Sequence, residues 1–361
     1  MKIEKAAEMG FCFGVRRAIE LVQKAAQERG PLQTLGALVH NQQVVDKLSD
    51  CGVDIAASLD EVQGNIIAIA SHGVGPDVMR QIKSRGLEVV DATCPFVRKA
   101  QIVAQRLGKE GIQVLVFGDT SHPEVQAVLG WSGKNASASL EIPWFTTQPK
   151  RLGILCQTTQ NQNRFANFVA GIITSDTAKF SELRVFNTIC DATRKHQAAA
   201  LELAKKADLM IVIGGKDSAN TRRLAEICAE TGVATHHIET VTDLEPSWVQ
   251  KRRLVGITAG ASTPDDVIDE VVLKLQEHQK RIDEEAYMQH DKFGIYLNTK
   301  KRQAMRINSP YWIPSGAGWV FLTPEVNATL LKIRELAKEK GLVKDPEKIV
   351  WGDWSQVPKR G

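Results

Sequence analysis

Along the chain, apolar residues gather into short runs that break abruptly into polar, often glycine-bearing turns: NIIAIASHG, IQVLVFGDTSHPE, RLGILCQTT, ADLMIVIGGKDSAN and RRLVGITAGAS. Apolar runs of strand length without polar alternation belong to strands buried on both faces. Amphipathic helical stretches separate them, and that alternation predicts parallel α/β sheets with crossover connections. In such sheets ligands collect beyond the carboxyl ends of the strands. The polar residues that end these runs are therefore the first candidates for a site.

A second pattern is a cysteine opening a helical stretch with basic residues four and five positions later. It occurs as GFCFGVRRAIE at Cys12, DATCPFVRKAQ at Cys94 and NTICDATRKHQ at Cys190. The fourth position is Arg16, Arg98 or Arg194, and the fifth is Arg17, Lys99 or Lys195. His40, His122 and Ser218 each fall 28 residues after one of these cysteines. A further polar turn follows, at His72, Thr158 and Ser262, at offsets of 60, 64 and 72. Repetition at this level decides architecture before any local reading. It predicts three similar α/β units, over residues 1–93, 94–188 and 189–284, in a pseudo-threefold arrangement with the cysteines near the axis.

Three such cysteines make a three-thiolate site, each thiolate favoured by a helix N-terminus. Zinc, with a water as fourth ligand, and an iron–sulfur cluster both suit that donor set, and a four-iron cluster would keep one iron free of protein ligand. Three buried structural thiols are the bland alternative, which the shared register disfavours. Cys51, Cys156 and Cys228 break that register and read as packed small hydrophobes. The strand-end turns add His40, His72, His122, Thr158, Ser218, Asn220 and Ser262, donors that suit a phosphate at helix N-termini. Glu124 is the one carboxylate beside them in the SHPE turn and a candidate proton donor, although Pro-Glu also commonly opens a helix. No GxGxxG or GxxxxGK[ST] sequence is present, so dinucleotide or ATP binding has no support.

Composition narrows the class. The 361 residues are 43% hydrophobic and 24% charged, ordinary for a globular chain of more than one domain. No apolar run approaches the length of a membrane span. MKIEKAAEMG reaches the first motif by residue 10, leaving no room for a signal or transit peptide, so the expectation is a cytoplasmic protein with reduced thiols. Residues 285–361 differ from the rest, with 13 Lys/Arg against 8 Asp/Glu, all three tyrosines and four of the seven tryptophans. This basic, aromatic C-terminal extension contains TPEVNATLLKIRELAKEKG, a predicted helix with Thr323 as N-cap, Pro324 at its first position and Gly341 after its end. The tryptophans favour packing on the core over binding nucleic acid or an acidic electron donor.

The motifs GFCFGV, VHN, SHGV, DATCP, SHPEV, QTT, NTIC, the Ser218–Asn220 pair and TAGAS, in this order over residues 1–283, resemble the 4-hydroxy-3-methylbut-2-enyl diphosphate reductase family. The resemblance implies a cloverleaf of three α/β domains around an oxygen-sensitive [4Fe–4S] cluster held by Cys12, Cys94 and Cys190. It implies reductive removal of an allylic hydroxyl, giving isopentenyl and dimethylallyl diphosphate, with electrons from reduced ferredoxin or flavodoxin. His40, His72, Ser218, Asn220 and Ser262 would hold the diphosphate. Thr158, His122 and Glu124 would order the hydroxyl side, Glu124 in the proton relay. Two positions depart from the family pattern: Ala219 replaces a serine and His196 an arginine. Two other classes share the three-cysteine site, a non-catalytic iron–sulfur sensor and a cluster dehydratase without net redox change. A sensor would have no use for Glu124 and Thr158.

Overall fold

The apolar runs form inner strands of three parallel sheets in the computed structural model, which describes residues 1–144, 149–175, 180–250, 252–288, 296–297, 311–315 and 318–322. The chain begins β1 (Lys2–Lys5), α1 (Phe13–Arg29), β2 (Leu32–Leu35), α2 (Gln42–Ser49), β3 (Val53–Ala56), β4 (Ile66–Ile69), α3 (Pro76–Ser84) and β5 (Glu88–Asp91). It continues α4 (Pro95–Lys109), β6 (Gln113–Phe117), α5 (Pro123–Ser132), β7 (Ala136–Ser139), β8 (Arg151–Cys156), α6 (Gln162–Thr174) and β9 (Glu182–Val185). The third stretch is α7 (Asp191–Ala204), β10 (Leu209–Ile213), α8 (Ala219–Ala229), β11 (Ala234–Ile238), the short α9 (Pro246–Val249), β12 (Leu254–Ala259) and α10 (Asp265–Met288).

The three sheets have one topology. Their orders are β3-β2-β4-β5, β7-β6-β8-β9 and β11-β10-β12-β1, and all their pairings are parallel. In the first two sheets the edge strand that ends the order, β5 or β9, runs straight into the next cysteine helix. In the third sheet that edge is β1, which leads into the first cysteine helix, with Lys2 opposite Leu254. The repeat thus closes on itself, and β1, within residues 1–93, completes the third sheet.

Each sheet has a core of its own strands and helices. Along α4, Ala100, Ala104 and Leu107 are buried at helical spacing and pack with Val114, Val116 and Leu155 of the sheet. Burying one such leucine contributes about 2–3 kcal/mol. The central strand β10 (LMIVI) is buried at every position, as its uninterrupted apolar run requires. The chain falls into two compact units, Met1–Gln276 and Glu277–Gly361. Within the second, β13 (Tyr296–Leu297), β14 (Tyr311–Ser315) and β15 (Gly318–Leu322) form an antiparallel sheet in the order β13-β15-β14. The helix expected over residues 323–341, and the packing expected of the extension, lie outside the described residues. Among the described residues no helix is long and apolar enough to cross a membrane.

Candidate active site

The two middle strands of each sheet, β2 and β4, β6 and β8, β10 and β12, are where the connections part toward opposite edges. A crevice opens at such a switch point. The turns after these strands carry His40 and His72, then His122, Glu124 and Thr158, then Ser218, Asn220 and Ser262. All eight line one cavity of about 120 Å³, together with Cys12, Cys94 and Cys190. Every residue expected at the site therefore faces the same space.

The cysteines are the N-caps of α1, α4 and α7. Cys12 Sγ accepts from the Val15 N–H at 3.4 Å, and Cys190 Sγ accepts from the Thr193 N–H at 3.3 Å. Thr193 Oγ1 also lies 3.0 Å from Cys190 Sγ. Burial pushes the thiols of Cys94 and Cys190 up, against the backbone N–H groups that favour their thiolates. A Cβ on Gly14 would stand 2.6 Å from Cys94 Sγ and 3.9 Å from Cys12 Sγ, so two thiols share a recess only glycine leaves open. Among the described residues no three His, Cys, Asp or Glu side chains are grouped as around one ion.

The arginines four residues after the cysteines serve structure. Arg16 pairs with Asp265 at 3.1 Å, Arg98 with Asp91 and Arg194 with Asp191. Cys156 and Cys228 are buried as expected, but Cys51 is exposed, a correction to its reading as a packed residue. It follows α2 in a turn on the surface, where the Gln23 amide approaches its sulfur at 4.0 Å. His196 is buried on α7 with Nδ1 unpartnered, and does not line the cavity.

The same cavity holds a buried acid. Glu124, 3% exposed, lies in the first turn of α5, where His122 is the N-cap. Thr158 satisfies both its oxygens, the N–H donating to Oε1 at 2.7 Å and the hydroxyl to Oε2 at 2.8 Å. Burial raises the Glu124 pKa and these two bonds oppose the rise, leaving it above the ordinary carboxylate range.

The remaining wall is built for an anion without using a cation. Among the described residues no Lys or Arg lines the cavity. Instead α2, α5 and α8 point their N-termini at it, capped by Asn41, His122 and Ser218. His40 stacks on His72 with ring centroids 6.0 Å apart and tilts against His122 at 5.6 Å. Burial first, and then the neighbouring histidines, bring His122 down to about 4. Burial likewise brings His72 to about 4, and lowers His40. His122 Nδ1 accepts from the Glu124 N–H at 3.2 Å, which leaves the ring proton on Nε2. His40 Nε2 and both side-chain atoms of Asn220 are buried without a partner. Unpaired buried polar atoms of this kind are costly unless a ligand completes them. Ser262 Oγ donates to the His40 carbonyl at 3.3 Å, and a Cβ on Gly215 would lie 2.6 Å from that oxygen, so the third sheet's turns close tightly on the first's.

Gly14, Thr193 and Thr159 also belong to the wall and were not among the expected residues. Gly14 stands in GFCFGV and Thr193 three positions after Cys190, but neither has an equivalent in the other two copies, so the repeat does not flag them.

The family model for LytB protein matches residues 3–276. The 4-hydroxy-3-methylbut-2-enyl diphosphate reductase of Dehalococcoides mccartyi (strain CBDB1) is 48% identical over 274 residues, 75% of this chain and 96% of that protein. The reductase of the same name from Geobacter sulfurreducens is 43% identical over 290 residues, 78% of this chain and 99% of that one. A solved structure of (E)-4-hydroxy-3-methyl-but-2-enyl diphosphate reductase, the terminal enzyme of the non-mevalonate pathway, is 38% identical. It superposes with a TM-score of 0.57 and covers 77% of this chain and 100% of that one. The E-1-hydroxy-2-methyl-but-2-enyl-4-diphosphate reductase from Plasmodium falciparum gives 0.69 at 25% identity, over 92% of this chain and 98% of that one. With a family model spanning most of its length and relatives matched almost end to end, the chain belongs to the LytB family.

Proposed function

We propose that this chain reduces 4-hydroxy-3-methylbut-2-enyl diphosphate to isopentenyl and dimethylallyl diphosphate. The overall change consumes two electrons and two protons and releases the allylic hydroxyl as water. One observation carries the reading: three thiols, a buried acid and a cation-free set of anion donors open into a single cavity.

The residues present fit an iron–sulfur cluster. Three helix-capping thiols and the recess beside Gly14 form a soft donor set facing common space, and among the described residues no fourth cysteine lines it. Cys12, Cys94 and Cys190 would hold a [4Fe–4S] cluster. When bound, such a cluster supplies single electrons and a Lewis-acidic iron without a protein ligand.

The chain's own groups do the rest. His40, His72, Asn220, Ser218 and Ser262 bind the diphosphate, with the N-termini of α2 and α8 supplying positive potential. That anchors the allylic end toward Glu124 and Thr158. The Thr158 hydroxyl donates to Glu124 Oε2. Once Glu124 takes up a proton this bond reverses, the acid donates to Thr158 Oγ1, and the threonine proton turns to the leaving oxygen, so the hydroxyl passes a proton without carrying charge. His122, with its proton on Nε2, orients the same oxygen. Reduced ferredoxin or flavodoxin serves as electron donor, and six free cysteines suit the reducing cytoplasm, where we place the protein.

The test is anaerobic purification, iron and sulfide analysis, then turnover with dithionite-reduced methyl viologen. Iron and sulfide near four each per chain with reductant-dependent product is expected. Product without reductant would identify a dehydratase, and an intact cluster with no turnover would identify a sensor.

A further inference from the structure

Phe96, 37% exposed, lines both the cysteine cavity and a separate pocket on the surface. The surface pocket also includes Lys99, Thr188 and Arg194, so it straddles the starts of α4 and α7, where Cys94 and Cys190 sit. Phe96 thus stands between the surface pocket and the cysteine cavity, whose thiols are only partly buried. Gly14, packed against Cys94 Sγ, sets the start of α1 beside that of α4, and the next residue back, Phe13, is 64% exposed.

Basic residues recur at the starts of these helices. Five residues after each cysteine stand Arg17, Lys99 and Lys195. Arg17 reaches across to the Thr93 carbonyl at 3.4 Å, beside Cys94. Lys99 and Lys195 are exposed. The Asp191 carboxyl is held low first by Arg194, then by Lys195 and Lys99, which puts both lysines within electrostatic reach of one surface carboxylate. Arg194 already satisfies that carboxylate, so the lysines add net positive potential. Exposed aromatic surface rimmed by basic side chains is the anatomy of a transient docking face for an acidic partner: apolar contact at the centre, steering charge at the rim.

We propose that the surface formed by the first turns of α1, α4 and α7, centred on Phe13 and Phe96 and rimmed by Lys99 and Lys195, docks an acidic one-electron carrier protein. The proposal rests on the reductase reading. Each turnover oxidises two reduced carriers, takes up two protons and releases one water as the allylic C–O bond is replaced by C–H.

The experiment compares wild-type holoenzyme with the K99E/K195E variant, using an acidic [2Fe–2S] ferredoxin as probe. Calorimetry with oxidised ferredoxin at low salt is expected to show affinity weakened about tenfold or more. Ferredoxin-driven kcat/KM falls in parallel and loses its salt dependence, while the viologen-driven rate stays unchanged. Lys134→Glu, in the turn before β7 at the amino ends of the strands, serves as control and changes neither. Unaltered ferredoxin binding in K99E/K195E, or an equal fall in the viologen-driven rate, overturns the docking face. Failure of the reductase reading looks different: wild-type enzyme gives no viologen-driven product, and the calorimetry still decides whether this surface binds the carrier.

Discussion

Thr158 grips Glu124 with both of its donors, backbone N–H to Oε1 at 2.7 Å and hydroxyl to Oε2 at 2.8 Å. The main-chain bond positions the acid; the hydroxyl bond is the one that can carry a proton. Glu124→Gln and Thr158→Val should each lower single-turnover reduction by about 10²–10⁴, the range for losing a positioned acid. Because the pair acts as one relay, the double variant should be no slower than the worse single. Multiplicative losses would show two independent roles. A melting curve separates this from simple destabilisation.

Replacing Cys12, Cys94 or Cys190 by serine should abolish or destabilise the brown chromophore. Cys51→Ser, on the surface, should change nothing. Cys156→Ser and Cys228→Ser bury a hydroxyl in the core, costing about 1–3 kcal/mol of stability, yet should keep stoichiometric iron. Iron loss from this second group equal to that from the first would remove the three-thiol assignment.

Gly14→Ala tests the recess itself. Its new methyl would meet Cys94 Sγ, a sulfur that can rotate away only by leaving its present direction. The apoprotein should fold normally by circular dichroism, while reconstituted iron falls by more than half. Full reconstitution would mean the thiol has another place to stand.

The buried histidines predict a pH dependence. His72 and His122 sit near about 4, below the ordinary value, so the unfolded chain binds protons that the folded apoprotein refuses. Their effect is to lower apoprotein stability as pH falls from about 6.5 to about 4, with no further loss below that. Glu124, raised by burial, acts in the opposite direction, and Asp119 beside His122 partly offsets the repulsion from His40 and Arg222. A bound anion should pull the histidines back up. Sulfate, whose charge is constant over this range, should bind more tightly at pH 5.5 than at pH 7.5 with proton uptake measurable by calorimetry in two buffers. Equal affinity at both would exclude the histidines from anion binding.

Ala219, the first residue of α8, lines the cavity between Ser218 and Asn220. Ala219→Ser adds a hydroxyl where a diphosphate would lie. A hydrogen bond to a charged group contributes about 1.5–3 kcal/mol, so pyrophosphate affinity should rise about ten- to a hundredfold. No gain would show that Ser218 and Asn220 already fill that side of the anion.

Much of this site was legible because the path from a helix-capping cysteine to the next strand-end turn has a fixed length. Cys12 to His40, Cys94 to His122 and Cys190 to Ser218 are that path three times over. What escaped had no local signature. β2 reads LQTL, with only Leu32 and Thr34 buried, so no apolar run announces it. Thr158 and Glu124 were visible as residue types, but their two-pronged bond spans 34 positions and depends on β6 lying beside β8. Cys51 was misjudged because a cysteine's burial is decided by neighbours the surrounding residues do not reveal. The pairing of β1 with β12 is the most distant of all and leaves no trace in either segment.

That pairing has a consequence for how the molecule is made. Lys2 leaves the ribosome early, but its neighbour Leu254 is synthesised near the end of the α/β region. The first two sheets can pair all of their strands during translation, whereas the third must wait for β12 before β1 has a place. Cys12 packs against the first sheet's core, but its N–H donates to the Ala261 carbonyl at 3.1 Å, a partner made only after β12. Closure of the three-cysteine cavity is thereby deferred until synthesis of the α/β region is complete, and a nascent chain stalled before β12 would leave β1 without a partner and Cys12 without that last bond.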